Sequence, residues 1–410
     1  MTQRIDKFVL KNGMVVLGEP MADVASVAFE LALPCGASKL PPGAGGCAEV
    51  ISDWIFRGAG TRTSRELMDA LDGLGLQRSS AVGSALFDLG CAMESQTLSQ
   101  AVDLYADVVL RPRLEADQFE LSRELAIQEL AGLDDDPRQN VMLKLHELFY
   151  PQPLGANSLG TTAELESLTT ETAAKIIKDK FRLCDAIFGI AGKYDFAAVC
   201  EQLSKLFEDN SKSVKENYSY KLPGAKYVHH THDGAQVHIG LMTPAVTLEN
   251  ENYYNARVAV SVLSGGMSAR LFTDVREKRG LCYAVGASYH NLKQLAGIAC
   301  YAGSAPDKAQ ETLDVIIAEF RRLSKGISGE EIANAKAGLK SSLIMHSESS
   351  SARSRGIVTD HYLLGRVRPL DEIKQKIESV TADSVLAYLR NNPFEHFTVV
   401  TIGPKELKVN

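Results

Sequence analysis

The sequence predicts an α+β protein of two homologous domains, in each of which a mostly antiparallel sheet is covered by helices. The first observation behind this prediction is an internal repeat. Three short segments recur in the same order 211 or 212 positions further along the chain: Ala101–Leu104 at Thr312–Val315, Leu165–Thr169 at Ile377–Thr381, and Ala186–Gly192 at Phe397–Gly403. Matches in one order at almost the same spacing indicate a duplicated domain. The second observation is that each half opens with alternating apolar segments and continues with amphipathic ones, which is typical of strands followed by helices.

The predicted elements follow the same order in both halves. Opening strands are predicted at Phe8–Leu10, Val15–Leu17 and Val237–Leu241. A helix follows in each half, and long amphipathic helices come later: 46–57 and 255–263, then Leu98–Leu110 and Ala309–Leu323. The recurring segments that begin at Ala186 and Phe397 are predicted to be the closing strands.

A polar stretch separates the two predicted domains. Residues 208–224 are rich in lysine, serine and asparagine and show no apolar periodicity, which favours a linker. The N-terminal domain is therefore expected at 1–207 and the C-terminal domain at 225–410. A chain of 410 residues suits two domains better than one.

Composition limits the functional class. Hydrophobic residues make up 45% of the chain and charged residues 23%, as in ordinary soluble domains, and the formal charge of −7 leaves no basic surface for nucleic acid. No apolar run is long enough to span a membrane, and the N-terminus shows no secretion signal. The seven cysteines are scattered and never spaced C-x-x-C, so reduced thiols are expected. We expect a cytoplasmic protein, or a periplasmic one if a signal has been removed.

Four strings carry a resemblance to a known family: GGCAEVISDWIFRGAGTRT, LAGLDDDPRQN, PLGANSLGT and SGGMSARLFTDVREKRGLCYAV. Together with the duplication, they resemble the pitrilysin/insulinase family of zinc metallopeptidases, in particular its short two-domain members related to mitochondrial processing peptidase. The resemblance extends over essentially the whole chain. It implies the metallopeptidase fold that LuxS and the processing peptidases share.

The zinc motif of that family is degenerate in this chain. Family members that cut peptides carry His-x-x-Glu-His on the first helix, where two histidines bind zinc and the glutamate activates water. Alignment on the flanking residues places Glu49, Ser52 and Asp53 at these positions. A third ligand is retained as Glu129, 76 positions beyond Asp53, but a supporting glutamate has become Ser122. No metal is therefore expected in this chain, and the resemblance implies that zinc belongs to a partner subunit.

Two other metal sites are conceivable. The carboxylates of Glu49, Asp53 and Glu129 have the oxygen chemistry that Mg²⁺ or Ca²⁺ prefers, although Ser52 could not act as a base near neutral pH. The interpretation we favour is a vestigial pocket with polar residues at its mouth. One histidine cluster lacks a third ligand at suitable spacing and is expected to be exposed to solvent: His229, His230 and His232.

The second half keeps the residues that the first half has lost. In the family, an arginine and a tyrosine seven residues apart face the zinc and hold the substrate carbonyl. Here they correspond to Arg276 and Tyr283. A guanidinium and a phenol hydroxyl suit the negative charge that develops on an attacked carbonyl oxygen.

This asymmetry predicts a non-catalytic subunit of a heterodimeric zinc metallopeptidase. The chain would be inactive alone and would complete the active site of a homologous zinc-bearing partner with Arg276 and Tyr283, for hydrolysis of peptides. The alternative is a purely structural or peptide-binding homodimer with no catalytic role. The long glycine-rich substrate loop of zinc-free processing-peptidase subunits is missing, so the mitochondrial role is not implied.

The family also binds its peptide as an added strand beside the zinc helix. The corresponding segment is Gln77–Gly83, in which an asparagine common in active members is Ser80. The sequence therefore favours an ordinary edge strand here.

Overall fold

The computed structural model describes residues 3–207 and 220–409. The strands in these ranges are β1 Asp6–Val9, β2 Val15–Pro20, β3 Ser26–Leu33, β4 Gly58–Ala59, β5 Arg62–Thr63, β6 Gln77–Val82, β7 Phe87–Glu94, β8 Ile187–Gly192, β9 Tyr227–Thr231, β10 Val237–Ala245, β11 Cys282–Asn291, β12 Ala296–Ser304 and β13 Thr398–Gly403. The α-helices are α1 Cys47–Trp54, α2 Ser64–Gly73, α3 Leu98–Leu110, α4 Ala116–Gly132, α5 Pro137–Phe149, α6 Thr162–Ser167, α7 Thr170–Lys180, α8 Phe196–Leu206, α9 Tyr253–Ser264, α10 Ala309–Arg322, α11 Gly329–Ser347, α12 Ser350–Leu364, α13 Leu370–Ser379 and α14 Ala382–Asn391. Short 3-10 helices lie at Ala37–Lys39, Ser95–Thr97, Leu183–Asp185 and Leu323–Lys325, and a π-helix lies at Phe272–Glu277.

The chain divides into two compact units. The first takes its described residues from Met1–Gly132, Gln152–Asn217 and His346–Val367. The second takes them from Leu133–Pro151, Tyr218–Met345 and Arg368–Asn410. Each unit therefore includes one segment from the opposite half of the chain. The predicted division at 1–207 and 225–410 does not include this exchange, and most of the predicted linker, 208–219, lies outside the described residues.

The first unit is built on a six-stranded sheet in the order β1-β2-β8-β3-β7-β6. All neighbouring strands are antiparallel except β2 and β8, which are parallel. Large apolar side chains from the sheet and from α1 and α3 form the core, among them Phe29, Trp54 and Tyr105. The Phe29 and Tyr105 rings meet edge to face with centroids 5.0 Å apart.

The second unit repeats this plan. Its five-stranded sheet has the order β11-β12-β10-β13-β9, and its parallel pair is β13 with β9. When the two orders are matched, β6 corresponds to β11, β3 to β10 and β8 to β13. The predicted fold class, two homologous α+β domains with mostly antiparallel sheets, is confirmed.

The exchanged segment of the first unit is helix α12, which packs on the sheet formed by β2, β8, β3 and β7. Ile357 and Val358 are fully buried there against Leu17. The buried Arg353 donates from Nε to Glu19 at 2.8 Å, and Glu19 is itself only 5% exposed. Removal of either partner would leave a charge without compensation in the interior.

Helix α5 is the matching segment in the second unit. It packs against β13, β10 and β12. The side chains of Val141 and Leu145 lie 3.3 and 3.4 Å from the position that a Cβ on Gly240 would occupy, so this strand glycine allows the helix to approach closely. Tyr150, just beyond the helix, shares a hydrogen bond of 2.7 Å with His290 of β11.

The repeated sequence strings have a local structural cause. Leu165–Thr169 and Ile377–Thr381 both end in a threonine that caps the next helix. The Thr169 side chain accepts from the Thr172 N–H, and the Thr381 side chain accepts from the Ser384 N–H. The recurring segments near Ala186 and Phe397 form β8 and β13, as predicted.

All seven cysteines lie in the described ranges and form no disulfide; six are buried and Cys282 is half-buried. None of the helices in those ranges is long and apolar enough to cross a bilayer.

Candidate functional site

Helix α1 carries the degenerate motif. Its N-cap residue is Gly46, whose φ of 76° lies in the left-handed region that glycine adopts readily. One face buries Val50, Ile51 and Trp54 in the core. The Trp54 Nε1–H donates to the Glu115 carbonyl at 3.0 Å, which fixes α1 against the chain segment that leads into α4.

Asp53 is held by two groups of the protein itself. The Ser122 hydroxyl donates to its Oδ2 at 2.6 Å, and the Arg57 Nε–H donates to the same oxygen. Ser122 is 1% exposed and Arg57 lies four residues beyond Asp53. The Arg57 guanidinium and the Ser122 hydroxyl therefore contact the Asp53 carboxylate where a metal ion would have to bind.

Glu49 lies half-buried one turn before Asp53. Burial raises the pKa of its carboxyl group to about 7, and the charge of the exposed Glu129 on α4 adds to this effect. The Ser52 hydroxyl donates to the Glu49 carbonyl oxygen at 2.8 Å, so it is engaged within the helix. No described basic side chain contacts the Ser52 hydroxyl, so no described group could remove its proton.

These residues do not fit zinc. In the described part of the chain, no group of three or more His, Cys, Asp and Glu side chains is arranged to hold a metal ion. The all-oxygen alternative at Glu49, Asp53 and Glu129 is not assembled. The three carboxyl groups also differ in environment, since one is bonded to Arg57, one is half-buried and one is exposed.

A cleft of about 620 Å³ opens beside the degenerate motif. It lies between α1, the start of α2 and strand β6. Its lining residues are Ser52, Asp53, Phe56, Arg57, Ser64, Met68, Leu76, Arg78, Ser79 and Ser80. Strand β6 is an edge of the sheet, as the sequence predicts, and residues 77–81 are exposed. The sequence pattern did not indicate the two arginines of this cleft, Arg57 and Arg78.

Arg276 and Tyr283 meet at the surface of the second unit. Arg276 lies on the π-helix Phe272–Glu277, a rare element that is frequent at functional sites. Its guanidinium carbon is 5.4 Å from the centroid of the Tyr283 ring and 4.9 Å from that of the Phe272 ring. Two aromatic rings thus hold the guanidinium by cation–π contact.

Tyr283 owes its orientation to a bulge. It lies in edge strand β11, where Cys282 pairs with Ser304 and Ala284 pairs with Gly303, so Tyr283 has no opposite residue. Bulges commonly turn a side chain away from the regular pleat. The Tyr283 side chain is 79% exposed.

Arg276 has no acidic partner among the described residues, unlike the nearby basic residues. Lys278 pairs with Asp274 at 2.8 Å, and Arg279 pairs with Glu311 at 3.4 Å. The Arg276 guanidinium therefore keeps its N–H donors available to a ligand. Phe272 also contributes to this arrangement, and the contact of its ring with the Arg276 guanidinium was not predicted from the sequence.

The histidine cluster differs from expectation. The prediction that these side chains are exposed is wrong, since all three are half-buried: His229, His230 and His232. His229 shares a hydrogen bond of 2.9 Å with the Thr401 hydroxyl of β13. The strand pairing of β9 with β13 explains the difference, since it covers one side of β9.

Comparisons with known proteins agree over nearly the whole chain. The family model described as Insulinase (Peptidase family M16) matches residues 15–162, and the one described as Peptidase M16 inactive domain matches residues 167–339. A relative from Rickettsia felis, named an uncharacterized zinc protease, is 27% identical and covers 97% of both chains. The uncharacterized zinc protease YmxG of Bacillus subtilis is 25% identical over 98% of both chains.

Solved structures share the fold at low sequence identity. A structure described as a peptidase M16 inactive domain from Pseudomonas fluorescens superposes with a TM-score of 0.90 at 17% identity, over 99% of both chains. A protease from Helicobacter pylori gives a TM-score of 0.90 at 18% identity, over 98% of this chain and 99% of the other.

Proposed function

Because this chain belongs to the M16 (insulinase) peptidase family and lacks its zinc motif, we propose that it is the non-catalytic subunit of a heterodimeric zinc metallopeptidase. A homologous partner carries the zinc-binding His-x-x-Glu-His motif. This chain contributes Arg276 and Tyr283 to the partner's active site, where peptides are hydrolysed. It needs no metal of its own.

The observation that carries the proposal is the contrast between the two sets of residues. Asp53 is paired with Arg57 and hydrogen-bonded by Ser122, so it is not free to act as a metal ligand. Arg276 and Tyr283 are exposed, adjacent and free of acidic partners among the described residues. A chain that had lost function uniformly would have no reason to keep the second set accessible.

The chemistry of the pair suits carbonyl activation. Arginine offers a rigid fork of N–H donors that stays charged at any physiological pH, and tyrosine offers a single O–H donor. Donors of this kind, fixed before the reaction begins, stabilise the oxyanion of a tetrahedral intermediate. The Phe272 and Tyr283 rings restrict the guanidinium before any substrate arrives. Most of the conformational entropy of the Arg276 side chain is therefore already lost in the free subunit.

The test is reconstitution with a homologous chain that has an intact His-x-x-Glu-His motif. We expect no peptide cleavage by this chain alone and cleavage by the mixture. Arg276→Ala should lower kcat about 100-fold or more, and Tyr283→Phe should lower it by a similar or smaller factor, since loss of one oxyanion donor typically costs about 10²–10³.

Arg279→Ala is the matched control, because Arg279 is an exposed arginine three residues further on that already pairs with Glu311. It should leave kcat unchanged. If the reconstituted pair is equally active with Arg276→Ala, the proposed role of this residue is wrong. If the chain instead forms a stable homodimer and does not bind zinc-bearing homologues, the alternative of a structural or peptide-binding homodimer with no catalytic role replaces the proposal.

A further inference from the structure

The π-helix that carries Arg276 depends on the rest of the second unit for support. Its wide turn is closed by the Lys278 N–H, which donates to the Thr273 carbonyl, five residues earlier, at 2.9 Å. One side of the turn buries Val275 completely in the core of the unit. Because a π-turn is rare compared with an α-helical one, contacts with other elements are needed to maintain it.

Asp274 provides one of these contacts. Its Oδ1 accepts from the Lys278 Nζ at 2.8 Å, and its Oδ2 accepts from Arg322, the last residue of α10, at 2.7 Å. Burial of Asp274 opposes its ionisation, but Lys278 and Arg322 outweigh this effect and lower its pKa below the ordinary value. The carboxylate is therefore charged at neutral pH and attaches the π-helix to α10.

Arg270 attaches the start of the same segment to α11. Its side chain is 8% exposed, and its guanidinium bonds both carboxylate oxygens of Glu331, with one of these bonds at 3.0 Å. The same guanidinium donates to the Gly326 carbonyl at 2.7 Å. A two-pronged pair of this kind fixes orientation as well as distance. The segment that leads into the π-helix is thus anchored before Phe272.

These attachments determine the direction of Arg276. Successive side chains of a helix point in different directions around its axis. Asp274 is turned toward α10 and Val275 toward the core, so a third direction remains for Arg276. In that direction the Tyr283 ring lies 5.4 Å from the guanidinium carbon. Rotation of the π-helix about its axis would separate the guanidinium from this ring.

The chain that leads to Tyr283 is anchored by buried hydroxyl groups. The Leu281 carbonyl accepts from the Ser304 hydroxyl of β12 at 2.6 Å. The Thr312 hydroxyl of α10 lies 2.9 Å from the Ser304 hydroxyl and 3.3 Å from the same carbonyl oxygen. Ser304 is 1% exposed and Thr312 is 0% exposed. Helix α10 therefore supports the chain on both sides of the pair, at Asp274 and beside Leu281.

We propose that Asp274 and Ser304 are positioning residues for Arg276 and Tyr283, and that α10 is the support they share. Asp274 sets the direction of the guanidinium through the π-helix, and Ser304 sets that of the phenol through the bulge of β11. Neither residue touches the substrate. The inference rests on the function proposed above for its kinetic consequence, whereas the geometry belongs to this chain alone.

The first test uses this chain alone with isotope-labelled arginine. Nuclear magnetic resonance detects the Nε–Hε group of Arg276, which adjacent aromatic rings shift and which is identified by its absence in Arg276→Ala. Asp274→Asn and Ser304→Ala should each move this resonance toward the position of exposed arginines. Asp314→Asn and Ser379→Ala are the matched controls and should leave it unchanged, because they alter an exposed aspartate of α10 and an exposed serine bonded to a backbone carbonyl.

The second test uses the pair reconstituted with a zinc-bearing homologue. Asp274→Asn and Ser304→Ala should each lower kcat about tenfold and leave KM nearly unchanged, because a misplaced oxyanion donor is missed only in the transition state. The controls Asp314→Asn and Ser379→Ala should keep both parameters. Melting temperatures identify any variant that fails to fold. Arg322→Gln is then the second variant, since it removes the α10 end of the ion pair from a side chain that is 49% exposed.

An unmoved Arg276 resonance in both Asp274→Asn and Ser304→Ala would overturn the proposal, whether or not the reconstituted pair is active. An equal fall of kcat in these variants and in the controls would overturn it as well. If the resonance moves as expected but the reconstituted unsubstituted pair cleaves no peptide, the positioning is supported and the proposed function is wrong.

Discussion

Two carboxyl groups one helical turn apart, those of Asp53 and Glu49, lie in different environments. Asp53 pairs with Arg57 and accepts a hydrogen bond from the Ser122 hydroxyl. No described cation acts on Glu49, and burial raises the pKa of its carboxyl group to about 7. The charge that aspartate brings at position 53 is therefore compensated by Arg57. At position 49 the ionised form of the glutamate is disfavoured by burial.

Replacement of Glu49 by glutamine should stabilise the protein at alkaline pH. The folded-state pKa of Glu49 lies above its ordinary value of 4.5, so the folded chain binds more protons than the unfolded chain between these values. The contribution of Glu49 to stability is present below about pH 4.5 and is lost as the pH rises through about 7. Glutamine cannot ionise, so the advantage of Glu49→Gln in melting temperature should grow between about pH 5 and about pH 8.

Thermal unfolding at the two pH values is the measurement. Glu124→Gln is the control, because Glu124 is exposed on α4. An advantage of Glu49→Gln that is the same at both pH values would show that burial does not govern this carboxyl group.

At the residue scale, spacing alone identified the degenerate motif and the Arg276–Tyr283 pair. The pairing of Asp53 with Arg57 follows a helical spacing of four and was within reach of the sequence. The Ser122 hydrogen bond was not, because it depends on how α1 and α4 pack. The contact of Phe272 with Arg276 was not predicted either, because it depends on the π-helix in which both residues lie.

At the element scale, helices α5 and α12 occupy corresponding places in the duplicated plan. Each packs on a sheet at a glycine: Gly240 beneath α5 and Gly189 beneath α12. A Cβ on Gly189 would contact the Val358 Cγ2 and lie 2.8 Å from the Ser354 carbonyl oxygen. The absence of a side chain at this position therefore determines how closely α12 approaches β8.

Gly189→Ala should lower the free energy of unfolding by about 1–3 kcal/mol, because the extra methyl group forces α12 away from the sheet. Denaturant unfolding monitored by circular dichroism gives this value. Gly286→Ala is the matched control in strand β11, where the nearest atom to the new Cβ is 3.6 Å away. Equal effects of the two substitutions would mean that α12 is not closely packed at Gly189.

Helix positions were predictable where the apolar period is regular, as in α3, which has the predicted bounds Leu98–Leu110. The sheet on which α12 packs could not be predicted from the sequence. Its buried residues include Arg353, Ser354 and Asp360 beside Ile357 and Val358, so no simple apolar stripe marks its contact face. An apolar period shows that a helix buries one side, but it does not identify the sheet that covers that side.

At the scale of the whole molecule, the duplication was visible as a constant spacing between similar strings, whereas the reciprocal exchange of helices was not. The exchange makes each half of the chain incomplete. Without α12, the first sheet would expose Leu17 and Ile187 and leave Glu19 without Arg353. The second sheet depends on α5 in the same way.

We therefore expect that fragments 1–207 and 225–410 do not unfold cooperatively when each is prepared alone, and that a mixture of the two does. Each fragment carries the helix that the other lacks. Circular dichroism melts of the separate and mixed fragments provide the test, with the intact chain as reference. Cooperative melting of either fragment alone, near the melting temperature of the intact chain, would contradict this expectation.

The position of α12 late in the chain also matters during synthesis on the ribosome. The last strand of the first sheet ends at Gly192, but its covering helix begins only at Ser350. At ordinary elongation rates of about 5–20 residues per second, the first sheet remains uncovered for on the order of ten seconds before that helix is synthesised. During this interval a chaperone has an apolar surface to recognise, and maturation of the first unit ends only when translation is nearly complete.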